Sequence, residues 1–470
     1  MKKSNKYKSL ITDVIVFALG NLGSKIVLFF MVPLYTNYLT TEEYGASDFV
    51  FTIAQLVVPF VSLVIFDAVL RFGLAKNANK KNVLKSSLLV ILIGTLLSIA
   101  ATPLLDLYQP LSEWKWYLCI YVILNMYNSV MLNYLKITEK NKAYAAISII
   151  STFILAISNI VLLIFAKMGI SGYLLSTIIA SISTALLASF IARLKVTLQK
   201  GVVDKRLLCR MIKFSAPLVL NNISWWIIQS SDKIMIESMI GMAALGLYTA
   251  ATKIPSLINV LISIFSQAWG ISSIKEFESS NDKKFYSDIF IAYSTIAFSV
   301  AILLTTIIKP FMSLYVSDIF YESWRFVPLL LVSAAFSAIA SYYGSLYGAL
   351  KISIHSMRST LCAAILNIII NYFGIKAYGV WGAVIGTTIA YLVLALYRMI
   401  DVIRYININP KWPILITNIT IGITQAIMVS LDLNPYAISI ICIILFAITN
   451  KKTILYIYYQ IINGTRRKTK

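Results

Sequence analysis

The chain has 470 residues, 59% of them hydrophobic and only 13% charged, with a mean hydropathy of +0.81 and a formal net charge of +22. A water-soluble protein of this length needs far more polar surface. Continuous apolar runs such as 86–102, 147–166 and 291–308 also exclude the alternating pattern of a membrane β-barrel.

Each run approaches the ~20 residues with which a helix crosses ~30 Å of hydrocarbon. The composition therefore reads as an all-α polytopic membrane protein. In chain order, spans are expected near 11–38, 47–71, 83–107, 114–136, 143–166, 170–193, 211–236, 242–270, 286–308, 326–350, 354–375, 379–403, 412–430 and 434–459. The basic start, 1–9, leads into the first span without an A-x-A cleavage site, so it reads as a retained helix. With the N-terminus in the cytoplasm, the inner segments hold 33 of the 41 Lys and Arg residues, including those of 71–85, 193–213 and 398–411. The outer loops carry acids instead: Glu42, Glu43, Asp106, Glu113, Asp318, Glu322 and Asp432. This alternation puts both termini inside. It also explains most of the net charge by topology and leaves no basic surface for nucleic acid.

Several chemistries are excluded. The four cysteines (Cys119, Cys209, Cys362, Cys442) are far apart, and His355 is the only histidine, so neither a disulfide framework nor a His-based metal site or triad is available. No P-loop motif occurs and no loop is long enough for a catalytic domain, so no cofactor is expected.

The chain also matches itself. At an offset of 201 residues, Glu43-Tyr44-Gly45 meets Ala244-Leu245-Gly246, Asn21 meets Asn222, Gln55 meets Ser256 and Ser62 meets Ser263. At larger offsets Lys136-Ile137-Thr138 resembles Lys351-Ile352-Ser353, and Gly169 to Gly172 resembles Gly379 to Gly382. The collinear order argues for a duplicated six-helix unit in parallel orientation. The expected organisation is a lobe at 1–200, a second at 201–405, and two extra spans with a basic tail at 406–470.

Polar side chains inside spans form stripes at helical spacing. Span two carries Asp48, Thr52, Gln55, Pro59 and Ser62; span eight carries Tyr248, Thr252, Ser256, Asn259, Ser263 and Gln267. Span seven adds Asn222, Gln229 and Lys233, and span one adds Asn21 and Lys25. Ordinary interhelical hydrogen bonding explains any single one; stripes on equivalent helices of both lobes favour a shared wet cavity. Lys25 and Lys253 lie deep in their spans. A cation there is costly unless it is hydrated or paired. It either binds an anionic group, phosphate above all, or pairs with a carboxylate such as Asp48 or Asp67. Arg71 closes span two at the inner surface, where snorkelling competes with a role at a cytoplasmic gate. Asp232 and Lys233 read as a local pair, and Glu237 as a headgroup-level residue. Pro33, Pro59, Pro217 and Pro255 mark either kinks or simple helix shaping. The tail Arg466-Arg467-Lys468 is suited to anionic lipid.

These residues resemble the polysaccharide-transport branch of the multidrug/oligosaccharidyl-lipid/polysaccharide (MOP) exporter superfamily. The resemblance rests on the stretch from Pro33 to Gly45, Leu70-Arg71-Phe72, Phe214 to Pro217, Asp232-Lys233, Gly246-Leu247-Tyr248 with Lys253, and Gly379 to Ala383, covering about residues 10 to 405. It implies two six-helix bundles in a V that rock by alternating access in the bacterial cytoplasmic membrane. It further implies a flippase, not an enzyme, for undecaprenyl-pyrophosphate-linked oligosaccharide destined for O-antigen, capsule or exopolysaccharide. Implied partners are that lipid-linked cargo, a polysaccharide polymerase and chain-length machinery. Lys25 and Lys253 become pyrophosphate contacts, with Asn21, Asn222, Gln55, Asp48, Gln229 and Asn259 beside them. Lys25 departs from the arginine-rich first helix of lipid II flippases, which argues against that cargo. The rivals are a multidrug or cation antiporter, which calls for an embedded carboxylate at the coupling site, and a membrane polymerase or glycosyltransferase, which calls for a large outer loop.

Overall fold

The computed structural model describes residues 27–75, 78–279, 283–350 and 352–466. All regular structure among them is helical: α1 (Val32–Tyr38), α2 (Thr41–Ser62), α3 (Ile65–Gly73), α4 (Lys80–Ala101), α5 (Lys115–Ile137), α6 (Asn141–Asn159), α7 (Gly169–Ile191), α8 (Leu194–Lys200), α9 (Lys205–Met239), α10 (Met242–Ser279), α11 (Lys283–Tyr315), α12 (Val327–Ala349), α13 (Ser353–Tyr378), α14 (Val380–Ile403), α15 (Trp412–Ser430) and α16 (Pro435–Arg466), with short helical turns between some of them. Twelve of the described helical stretches are long and apolar enough to span a membrane. The described part of the first span, Val27–Tyr38, and the 35-residue α9 complete the fourteen positions expected. The protein is a polytopic all-α membrane protein.

Local chemistry sets the helix starts. Thr40 and Glu43 form a reciprocal capping box at α2, Asn79 accepts the N–H groups of Lys81 and Asn82 at α4, and Asp204 accepts those of Arg206 and Leu207 at α9. Pro59, Pro217 and Pro255 lie within continuous helices. The discontinuity in span two falls just beyond Pro59, at Leu63 and Val64, whose φ values are 49° and 52°. Consecutive left-handed residues, one of them β-branched, cost about 1–2 kcal/mol each, so the surroundings must enforce them. Ser62 bridges the break, since its hydroxyl donates to the Val58 carbonyl at 2.6 Å and accepts the Val64 N–H at 3.1 Å. Just past the break, the Asn133 amide of α5 donates to the Phe66 carbonyl in the first turn of α3 at 2.9 Å.

By contacts the chain divides into two compact units. One holds the described residues up to Glu237 together with Gly241–Gly246; the other holds Ser238–Ile240 and the described residues from Leu247 onward. By packing, α9 thus belongs to the N-terminal unit, although the repeat pairs it with span one. The first turn of α10 belongs to that unit too. There the two glycines matched by the repeat meet in space. A Cβ on Gly45 would stand 2.0 Å from the Met242 carbonyl oxygen, and one on Gly246 would stand 1.9 Å from that of Thr41. Each glycine thus admits the backbone four residues before its counterpart, a reciprocity typical of a local two-fold relation.

In the N-terminal unit α5 is central, while α4 and α6 present Leu92, Leu96, Ile150 and Phe153 outward as a lipid-facing surface. In the C-terminal unit α12 is the innermost helix, and Trp269 stacks on its Tyr342 with centroids 4.8 Å apart. The last two spans are anchored by buried amides. Asn418 of α15 and Asn450 of α16 exchange hydrogen bonds of 3.2 and 2.7 Å, and Gln425 donates to the Ile302 carbonyl of α11 at 3.2 Å. Inside a bilayer such bonds hold helices together where the hydrophobic effect does not discriminate.

Candidate functional site

The polar stripes of spans two and seven meet inside the N-terminal unit. On α2, Asp48, Thr52 and Gln55 follow one another at steps of four and three; on α9, Asn222, Trp226, Gln229 and Lys233 do so at four, three and four. The Lys233 ammonium contacts the Asp48 carboxylate at 2.7 Å, with the two side chains 17% and 13% exposed. Trp226 donates its indole N–H to the Thr52 carbonyl at 3.0 Å. Beside this closed contact Gln55 and Gln229 are exposed, while the half-buried Asn222 donates to the Leu218 carbonyl of its own helix. The result is a seam with a charged pair at one end and free amide groups along its edge.

This corrects one expectation. The side-chain partner of Lys233 is Asp48, 185 residues away, whereas the buried Asp232 carboxylate accepts the Lys233 backbone N–H at 2.9 Å. Glu237, near the end of α9, is buried within the protein and accepts a hydrogen bond from Tyr108 in the turn between α4 and α5. Burial first, then that bond to a carboxylate, push the Tyr108 hydroxyl above its ordinary range.

Of the remaining candidates, Lys25 and Asn21 lie outside the described residues. Lys253 is half-buried on α10 in the C-terminal unit; Ser256, Asn259 and Ser263 on the same helix are exposed. Ser256 donates to the Lys253 carbonyl at 2.6 Å and Ser263 to that of Val260 at 2.8 Å. Arg71 is exposed in the last turn of α3.

A second ionic cluster escaped the sequence reading. Arg398, counted there among the loop residues, is instead buried inside α14 at 1% exposure. Its guanidinium donates to the Ser359 hydroxyl at 3.0 Å, the Ala340 carbonyl at 3.0 Å and the Thr360 hydroxyl at 2.8 Å. Gly344 leaves the room, since a Cβ there would fall 2.4 Å from a guanidinium nitrogen. One turn on, Asp401 accepts from Tyr347 and pairs with His355, both at 2.8 Å. Position in sequence could not separate a buried arginine from a snorkelling one so near a helix end.

Among the described residues no group of His, Cys, Asp and Glu could hold a metal. The seam offers amide donors and acceptors, an ammonium and a carboxylate, which are suited to hydroxyl-rich or anionic ligands.

The fold defines the class. It is shared with lipid II flippase MurJ in an inward closed conformation, at a TM-score of 0.72 and 16% identity over 95% of this chain and all of that one. It is shared also with an outward-facing multidrug resistance transporter of the MOP superfamily, at a TM-score of 0.59 and 15% identity over 85% and 98%. In sequence, an uncharacterized membrane protein of Haemophilus influenzae is 27% identical over 265 residues, 55% of this chain; the match spans 64% of that relative's length. A profile of the polysaccharide biosynthesis protein family matches residues 10–271, more than half of the chain. The chain belongs to that family.

Proposed function

We propose that this protein is a flippase. It carries undecaprenyl-pyrophosphate-linked oligosaccharide repeat units across the bacterial cytoplasmic membrane for O-antigen, capsule or exopolysaccharide assembly. The observation that carries this reading is the seam: glutamines exposed well inside two membrane-embedded helices, beside a Lys–Asp pair, in a chain of the polysaccharide biosynthesis family. Exposed amides facing lipid are unfavourable by a few kcal/mol, so this edge faces water and a polar cargo.

In this reading Gln55, Gln229, Asn222 and Asn259 contact sugar hydroxyls, and Lys25 and Lys253 hold the pyrophosphate. The Asp48–Lys233 pair rearranges with the cargo. Arg71 gates the cytoplasmic side, both termini lie in the cytoplasm, and the two repeat-related lobes expose the site alternately to the two faces. No bond is made or broken; the product passes to a polymerase and its chain-length machinery. The partly exposed carboxylate of Asp48 and the buried ones of Asp232 and Glu237 favour a second reading, a multidrug or cation antiporter of the same fold. The pairing of Asp48 with Lys233 weighs against it, because a cation would have to displace the ammonium.

The test is reconstitution into liposomes with lipid-linked oligosaccharides, comparing the wild type with Lys25→Ala and Lys253→Ala. Flipping should fall at least tenfold in each. Unchanged flipping at equal protein levels removes the pyrophosphate assignment, and drug efflux without movement of lipid-linked sugar overturns the function.

A further inference from the structure

Helix α7, the sixth span, ends at Ile191, and the chain does not simply leave the membrane. Arg193 takes a left-handed conformation (φ 49°, ψ 51°), which stops α7 and redirects the chain into the seven-residue α8. That helix is fastened down. The Lys85 ammonium of α4 donates to the Leu198 carbonyl at 3.1 Å and the Gly201 carbonyl at 2.9 Å, closing the C-terminal end of α8. The Asn82 side chain accepts the Val202 N–H at 2.9 Å, and Thr197 donates to the Ala192 carbonyl at 3.0 Å. Backbone presses on backbone here, since a Cβ on Gly201 would lie 2.9 Å from the Lys81 carbonyl oxygen.

With its inner side fixed, α8 shows an outer side of mixed character. Arg193, Lys195 and Lys200 are exposed, and Val196 (46%) and Val202 (65%) are exposed among them. Phe190, at the very end of the preceding span, is 83% exposed. The one acid in 193–213, Asp204, is occupied as the cap of α9. A helix that starts three residues past a span lies within roughly 5 Å of its end at 1.5 Å per residue, so its lysines reach the phosphate layer. Cations interleaved with apolar side chains at that depth have the character of an interfacial membrane-binding element.

We propose that α8 and its flanks form a docking platform for anionic phospholipid headgroups. The valines and Phe190 enter the acyl boundary, Arg193, Lys195 and Lys200 hold the phosphates, and Lys85 positions the platform without touching lipid. The platform is independent of the cargo reading, because it needs only the membrane-embedded fold.

Native mass spectrometry of the full-length protein, titrated with phosphatidylglycerol against phosphatidylcholine, tests it. Each of Arg193→Gln, Lys195→Gln and Lys200→Gln should lower the phosphatidylglycerol preference about fivefold, equivalent to about 1 kcal/mol, and the triple variant about a hundredfold. Lys85→Met should also weaken the preference while leaving the exposed charge of α8 unchanged. The double variant Lys451→Gln, Lys452→Gln, at exposed residues of α16, should bind as the wild type does. An unchanged preference in the triple variant overturns the platform. So does an equal loss in the Lys451/Lys452 control, which would make bulk charge the cause, or full binding by Lys85→Met, which would make the docking of α8 irrelevant. Melting temperatures within a degree or two of wild type keep these outcomes separate from unfolding.

Discussion

The two units bury charge in opposite ways. In the N-terminal unit Lys233 and Asp48 face each other across α9 and α2, still partly exposed, with unengaged glutamines along the same edge. In the C-terminal unit Arg398 is sealed, its guanidinium bonded to neutral oxygens of α12 and α13. A cation already saturated by the protein cannot take up a ligand without breaking the packing around it. A cation held by one movable carboxylate can exchange that partner for an anionic group of similar geometry. Depth alone therefore does not identify a site. What distinguishes the seam is a charged partner in place of neutral oxygens, together with exposed amides beside it.

The comparison breaks most readily at Arg398. Arg398→Ala removes three hydrogen bonds and leaves a cavity, which should cost about 3–5 kcal/mol and appear as a large fall in melting temperature. The hydroxyls of Ser359 and Thr360 both donate to the Ser356 carbonyl, each at 2.8 Å, so they keep their donor bonds without the arginine. Arg398→Met fills the volume and desolvates no charge, so it should cost well under half as much. If Met is as damaging as Ala, or if Met abolishes transport in a stable protein, Arg398 does more than hold helices together.

Next in size is the ion pair. Lys233→Met removes the ammonium that pairs with the partly exposed Asp48 carboxylate, a cost of about 1–3 kcal/mol. Adding Asp48→Asn should recover most of that stability, since both charges are then gone. Transport should stay at least tenfold down in the double variant, measured in the same liposomes. Recovery of stability and transport together would reduce the pair to a structural contact and erase the contrast with Arg398.

Much of this was legible in the sequence. Apolar windows locate the helices because a bilayer demands continuous length, and stripes at steps of three and four locate the faces of α2 and α9. The Gly45–Gly246 match was legible as a repeat, but the backbone contact between those residues was not, since an offset says nothing of distance. The break in span two left no mark either. Leu63 and Val64 are poor formers of left-handed turns, and the break is bridged by the Ser62 hydroxyl, a contact no local pattern announces. Lys233 misled for the same reason. Its neighbour in sequence is Asp232, but a helix turns about 100° per residue, so adjacent side chains diverge and the partner comes from across the packing.

The smallest expected change in stability is at the edge of the seam, and it tests the comparison most finely. Gln229 is exposed on α9, one turn from Lys233, and no partner must be broken to replace it. Gln229→Leu should therefore shift stability by no more than about 0.5 kcal/mol. The sign is informative. A side chain facing lipid gains from the change, because an amide leaves hydrocarbon and an aliphatic group enters it. One facing water gains nothing and loses a donor and an acceptor for the cargo. A water-facing seam thus predicts unchanged or slightly lower thermal stability in liposomes, with transport reduced severalfold. Higher stability with full transport would place Gln229 against lipid and leave Asp48 and Lys233 without the open neighbours that set them apart from Arg398.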